Sequence, residues 1–121
     1  MVIVQARIPV VSEKRELAYR HVRVFVKTTR SEEGCMRCDA FADIDDPDTI
    51  LIQQTWRDST DLDRHAEGRC LDSFLDAMPE FVDGQVQTTR FETAPGHGEP
   101  LEPVEQVEPE AVVMPQGVTL H

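Results

Sequence analysis

A predicted hairpin in the middle of the chain limits the folds that this sequence can adopt. Residues 35–44 and 49–57 are two extended stretches, and between them lies a cluster of turn-forming residues, Asp45-Asp46-Pro47-Asp48. The pattern predicts two antiparallel strands joined by a short connection. The segments on either side of the hairpin then determine which layers it belongs to.

A strand and a long helix are predicted before the hairpin. Residues 2–8 read as a strand that ends at Pro9, with one face formed by Val2, Val4, Ala6 and Ile8. From Ser12 to Gly34 the sequence carries a cap, acidic residues in the first turn and a glycine stop, which is typical of a helix. Residues 22–27 also alternate like a strand, but the segment is too long for one. A helix would place five of its residues on one face: Leu17, His21, Val24, Phe25 and Thr28.

Two helical segments and a last strand are predicted after the hairpin. Asp58 to Asp61 offer a helix cap with a carboxylate in the first turn, and an apolar stripe follows at Leu62, His65 and Ala66. Gly68 is expected to break this helix, which resumes and ends at Pro79. Residues 82–91 are interpreted as the final strand, with Val86 and Thr88 facing inward.

The composition allows one domain and argues against several classes of partner. With 121 residues, of which 40% are hydrophobic, the chain can form one two-layer core of helices on a sheet. The net charge of −11 argues against nucleic acid or an anionic membrane surface as partner. No apolar run is long enough to span a bilayer, and the first residues do not resemble a signal peptide, which predicts a cytoplasmic protein.

The last segment, residues 93–121, differs in character from residues 1–92. It holds five of the eight prolines, six glutamates lie beyond residue 90, and no lysine or arginine does. One interpretation is an acidic, Pro-rich, disordered tail that cannot bury a core of its own. The other is an arm, because residues 111–114 and 118–120 are apolar enough to lie on a partner subunit or to add an edge strand.

The cysteines and acidic clusters do not predict a metal or redox site. Cys35 and Cys38 form a C-x-x-C, but their separation on a strand is expected to place them on opposite faces. With Cys70 they would still lack a fourth zinc ligand at suitable spacing. A calcium loop counted from Asp43 would have Asp48 where glycine is required. We therefore expect reduced thiols and no bound metal.

Four short motifs, in this order, resemble the antibiotic biosynthesis monooxygenase (ABM) family over residues 1–92. They are Glu33-Gly34-Cys35, Asp45-Asp46-Pro47, Gln54-Thr55-Trp56, and the segment from Asp58 to His65. The spacing of nine residues between Trp56 and His65 is the most specific of these features. The order of strands and helices is that of a ferredoxin-like βαββαβ unit, so the predicted fold class is α+β.

The resemblance implies an assembly and a range of reactions. It implies a homodimer in which two sheets form a barrel with the helices outside, and a pocket between sheet and helices in each subunit. Some members oxidise quinols or polycyclic phenols with molecular oxygen and without metal, flavin or haem; others degrade haem or isomerise a signalling molecule. Haem degradation is disfavoured here, because the members that degrade haem carry an asparagine on strand one. In this chain strand one has Gln5-Ala6-Arg7 and no asparagine.

The candidate site residues follow from alternation and from this resemblance. Trp56 should point inward together with Ile52 and Gln54, either as a wall that stacks on a flat substrate or as the main core aromatic. His65 is the candidate base, since an imidazole can accept a phenolic proton near neutral pH; the alternative is a structural buried histidine. His21, on the apolar helix face, and Arg90, on the last strand, are further candidates for substrate binding.

Gln54 departs from the family pattern, in which the residue two before the tryptophan is commonly glutamate. An amide cannot supply the negative charge that would orient or stabilise the histidine. The sequence therefore predicts a cofactor-independent monooxygenase of small aromatic substrates. A non-catalytic or isomerising homodimer that binds a small metabolite remains the alternative, and a purely structural dimer that recruits a partner through its arm is the third.

Overall fold

A computed structural model describes residues 1–93 and, further along, the backbone of two short strands at 103–106 and 110–111. The elements, in chain order, are β1 (Val2–Pro9), α1 (Arg15–Arg30), β2 (Cys35–Ala42), β3 (Thr49–Trp56), α2 (Ser59–Ala66), α3 (Arg69–Ala77), β4 (Gln87–Thr93), β5 (Pro103–Gln106) and β6 (Glu110–Ala111). Short 3₁₀ turns precede α1 at Ser12–Lys14 and follow α3 at Met78–Glu80. The predicted α+β fold is confirmed, with the second helix divided in two at Gly68.

The strands form an antiparallel sheet in the order β2-β3-β1-β4-β5, and β6 also pairs with β4. In the centre of the sheet Ala6 of β1 is paired with Ile52 on one side and with Thr88 on the other. Residues paired in this way point to the same side of the sheet. That side is the one covered by the helices, since Ile8 and Ile52 belong to the core that α1 and α3 complete.

The hairpin and the cap of α2 have the predicted local chemistry. In the turn, the backbone N–H groups of Asp45 and Asp48 donate to the side chains of Asp43 and Asp46 at 2.8 and 3.1 Å. At the start of α2 the Asp58 side chain accepts from the backbone N–H of Asp61 at 3.0 Å. Hydrogen bonds between a side chain and a nearby backbone N–H group can be predicted from sequence, because both partners are close along the chain.

The predicted apolar face of α1 is wrong by one residue. The helix buries Ala18, Val22, Phe25, Val26 and Thr29, whereas Val24 is 63% exposed and Thr28 is also exposed. A shift of one residue turns a helix by about 100°. The buried face includes a small residue and a hydroxyl, and the Thr29 hydroxyl lies 3.5 Å from the Cys70 sulfur of α3. A prediction based only on large apolar residues therefore selects the neighbouring face of α1 instead of the buried one.

The last strand begins later than predicted, at Gln87 rather than Val82. Val82 makes a single isolated bridge with Val10, and Gly84, at φ +102°, interrupts the extended chain before β4. Val86 is buried as predicted, although it precedes the strand. In the segment 93–121, the structure describes only the strands β5 and β6, so the apolar residues 112–114 and 118–120 lie outside the described residues and the tail-or-arm alternative stays a prediction.

None of the helices in the described residues has the length and apolar character that crossing a bilayer requires.

Candidate active site

His65 lies on α2 with its ring almost fully enclosed, at 3% exposure. Its Nδ1 atom is 2.9 Å from Oε2 of Glu32, in the loop after α1. An ionised carboxylate can only accept a hydrogen bond, so Nδ1 is the donor of this bond, and in the tautomer that carries its proton there Nε2 is an acceptor. Nε2 is buried and has no hydrogen-bond partner in the described residues. The histidine is thus oriented on one side and unpaired on the other.

Glu32 was not predicted from the sequence. It lies 33 residues before His65, and nothing in the sequence distinguishes it from the adjacent Glu33. The structure shows the difference, because Glu33 faces outward and lies 3.7 and 3.4 Å from the guanidinium groups of Arg57 and Arg64. Glu32 therefore supplies the carboxylate partner for His65 that Gln54 cannot supply.

A buried carboxylate fixes α2 beside this loop. The two oxygens of Asp61 accept from Arg57 at 2.8 and 3.0 Å, and one of them also accepts from Arg64 at 2.8 Å. Hydrogen bonding to Arg57 lowers the pKa of Asp61, and Arg64 acts in the same direction. Gly34, at φ +84°, lies directly against the Asp61 side chain, where a Cβ atom would collide with it.

Trp56 packs against His65 and does not line the apolar cavity that lies between the sheet and the helices. Its ring is fully buried, and its centroid is 4.8 Å from that of His65. The indole N–H donates to Oε1 of Gln54 at 2.8 Å and so already has a partner. The two predicted residues are therefore in contact, and Trp56 supports the position of His65 on the side away from the cavity.

An apolar cavity of about 180 Å³ lies between the sheet and the helices, against His65. Predicted residues Gln54 and Ile52 line it from β3, and Thr88 lines it from β4. The other lining residues are Val4, Ala6, Ile8, Phe25, Leu62, Ala66, Leu71, Phe74, Leu75, Met78 and Val86. The helices supply about half of this wall, so sequence alternation along the strands alone does not outline it.

The other two predicted binding residues lie elsewhere. His21 is partly exposed, stacks on Phe81 with ring centroids 5.7 Å apart, and lines a separate groove on the helix surface. Arg90 is paired in register with Val4, but its guanidinium donates to Glu92 at 2.8 Å. The structure does not bring either side chain to the cavity beside His65.

Cys35 and Cys38 lie on the same face of β2, and the prediction of opposite faces is wrong. A β-bulge at Met36 inserts an extra residue, so Cys35 is opposite Trp56 and Cys38 is opposite Gln54. Burial raises the pKa of the Cys38 thiol to about 12 and also raises the pKa values of Cys35 and Cys70. All three cysteines are free thiols.

The family model described as antibiotic biosynthesis monooxygenase matches residues 1–82 of the chain. The chain belongs to the antibiotic biosynthesis monooxygenase family. Membership in the ABM family supports a monooxygenase-like function in general and leaves the substrate open. The matched range includes Glu32, Trp56 and His65 and ends before β4, which carries Thr88.

Individual relatives agree with this assignment. YcnE of Bacillus subtilis (strain 168), which is named as a candidate monooxygenase, is 27% identical over 92 residues, covering 76% of this chain and 97% of that protein. The structure of Rv0793 from Mycobacterium tuberculosis has a TM-score of 0.73 at 20% identity, covering 80% of this chain and 98% of the other. A Deinococcus radiodurans structure described as a candidate antibiotic biosynthesis monooxygenase also gives 0.73 at 20% identity, covering 82% and 98%. At these identities the two structures show the ABM fold alone.

Proposed function

We propose that this ABM protein is a cofactor-independent monooxygenase that oxidises a quinol-like or polyphenolic aromatic with molecular oxygen in the cavity beside His65. The observation that carries the proposal is the state of His65: Glu32 holds one ring nitrogen, and the other is buried and unpaired in a residue that lines an apolar cavity. A base of this kind meets a ligand proton without competition from water. Independence of a cofactor rests on the family resemblance.

The proposed reaction needs one base and one carboxylate. Nε2 of His65 accepts the phenolic proton, and Glu32 stabilises the imidazolium that forms. The substrate anion passes an electron to oxygen, and recombination of the two radicals forms a carbon–oxygen bond. The imidazolium returns its proton to the distal oxygen, and loss of water leaves the new carbonyl. A quinol and one O₂ thus give a hydroxyquinone and one water.

Oxygen uptake with a panel of hydroquinones tests this function. We expect uptake above the buffer rate, and we expect His65→Ala to lower it by at least about 100-fold, the range for loss of a general base. His21→Ala is the matched control, because this histidine is outside the cavity, and it should keep the wild-type rate. Uptake that is absent for every hydroquinone, or equal in His65→Ala and wild type, would contradict the proposal.

The alternative is a site that binds a small metabolite and does not react with oxygen. Gln54 favours it, because the amide replaces a carboxylate and its oxygen is occupied by the Trp56 indole. Calorimetric binding of a panel compound without oxygen uptake would support this alternative over oxygenation.

We also propose that the protein is a homodimer that associates through the sheet face away from the helices. Ile3, Leu51 and Phe91 alternate with the cavity-facing residues and are only partly buried. Leu51→Glu should convert a dimer to a monomer in light scattering, while Glu16→Gln on the exposed surface of α1 should not. A wild-type monomer at micromolar concentration would disprove the dimer.

A further inference from the structure

Two buried side-chain polar atoms in the described part of the chain lack a hydrogen-bond partner, and both belong to residues that line the same cavity. One is Nε2 of His65; the other is the hydroxyl oxygen of Thr88. Buried polar atoms are nearly always hydrogen-bonded, because burial removes their bonds to water. Two unpaired groups in residues that line one cavity are therefore an unusual coincidence unless something else binds there.

The two unpaired groups lie on different elements of the fold, α2 and β4. His65 packs on Trp56, at the end of β3, whereas Thr88 is on β4, with β1 between the two strands. Two strand spacings correspond to about 10 Å across the sheet. From this spacing of the strands we infer that a single ligand atom does not reach both groups. A ligand that satisfies both must carry polar atoms at its two ends.

The rest of the cavity limits the ligand further. Its lining includes no Lys, Arg, Asp or Glu, so an ionised substituent would be buried without a charged partner. Its volume of about 180 Å³ is near that of a cavity that accepts benzene, about 150 Å³. The space fits a single ring with small substituents better than a polycyclic compound.

We propose that Thr88 is a second ligand anchor and determines specificity. Its hydroxyl bonds the ring oxygen that lies away from His65, so the cavity selects an uncharged, single-ring aromatic with oxygen atoms at opposite ends. A hydroxyl can donate to a carbonyl and accept from a phenol, so it fits both a quinol and a quinone. This inference rests on the proposed function, since it assumes that the cavity is the substrate site.

Titration calorimetry under argon, with 1,4-hydroquinone and phenol as ligands, tests the anchor. Wild type should bind hydroquinone about tenfold more tightly than phenol, the effect of one neutral hydrogen bond to a buried group. Thr88→Val, which keeps the shape and removes the hydroxyl, should abolish this preference and leave phenol affinity unchanged. Thr88→Ser should restore it.

Thr89→Val is the matched control. Thr89 is the next residue of β4 and is paired with Gln5, so it faces the other side of the sheet. It should keep the wild-type preference. Thr88→Val should also be no less stable than wild type without ligand, because it removes an unpaired buried hydroxyl. A clear loss of stability would show that the hydroxyl is structural and would overturn the proposal.

The outcomes separate the anchor from the reaction. A preference for hydroquinone that survives in Thr88→Val overturns the anchor. If wild type still takes up oxygen in that case, the proposed oxygenase function stands without the anchor. A preference that is lost in Thr88→Val, without oxygen uptake, supports the anchor and contradicts the oxygenase. If neither compound binds, the anchor is overturned, and the oxygenase is decided by oxygen uptake with the other hydroquinones of the panel.

Discussion

Asp61 and His65 lie one turn apart on α2, and both side chains are almost completely buried, at 2% and 3% exposure. The hydrogen bonds around them differ. Both oxygens of Asp61 are paired, with Arg57 and Arg64, whereas His65 is paired only through Nδ1 with Glu32. A fully satisfied buried charge holds a structure in place, and a half-satisfied group keeps bonding capacity for a ligand. The same helix face therefore carries a structural group, Asp61, and a chemical group, His65.

The largest effect is expected from Gly34→Ala, at the structural group. The positive φ alone costs a non-glycine residue about 1–3 kcal/mol, and the added Cβ would also displace the Asp61 side chain. We expect at least this loss in the free energy of unfolding by urea denaturation. Gly68→Ala is the control, because Gly68 has φ −89° and its added Cβ would have no contact under 3.4 Å. Equal losses in the two variants would mean that Asp61 does not depend on the close approach of Gly34.

Glu32→Gln tests the chemical group. Removing the carboxylate that orients a functional histidine costs activity by about 10–100-fold, and we expect this loss in oxygen uptake. Glu33→Gln should leave the rate unchanged; a matching loss there would show that only the overall charge of the loop matters.

The smallest effect is expected in the pH dependence of the stability that Asp61 contributes. Because the pKa of Asp61 is lowered in the folded protein, its contribution to stability is present above the unfolded value of about 3.9 and is lost as the pH falls through the lower folded value. Asp61→Asn should be less stable than wild type at pH 7, and the difference should narrow below about pH 4. Denaturation curves at four pH values between 7 and 2.5 measure it, with the exposed Asp63→Asn as control. A difference independent of pH would contradict the charged pairing.

Sequence reasoning predicted the features whose partners are close along the chain. The hairpin turn, the Asp58 cap and the break at Gly68 are local, and alternation correctly placed Ile52, Gln54 and Trp56 on the helix-covered side of the sheet. Patterns of alternation cannot detect a bulge, so the shared face of Cys35 and Cys38 was missed. The one-residue error on α1 has a similar origin, because the buried stripe includes a small residue and a threonine.

The site was less predictable than the fold. Glu32 reaches His65 only because β2 and β3 pair and bring the loop after α1 to the start of α2. Thr88 was expected to face inward, but no pattern shows that its hydroxyl lacks a partner. His21 was predicted for the cavity from the wrong face of α1, and the correct face turns it toward Phe81.

The loop of residues 31–34 joins the two halves of the proposed acid–base pair. The Gly34 carbonyl accepts from the Arg57 backbone N–H at 2.8 Å, and the Asp61 side chain lies against the same glycine. The loop and α2 are therefore fastened together at a point two residues from Glu32. For protein engineering, an inserted residue or a peptide tag here would separate Glu32 from His65. The hairpin turn at residues 43–48 is the better place for such a graft, because none of its residues lines the cavity. Its Asp48 side chain bonds to Ser12 and Arg15 instead.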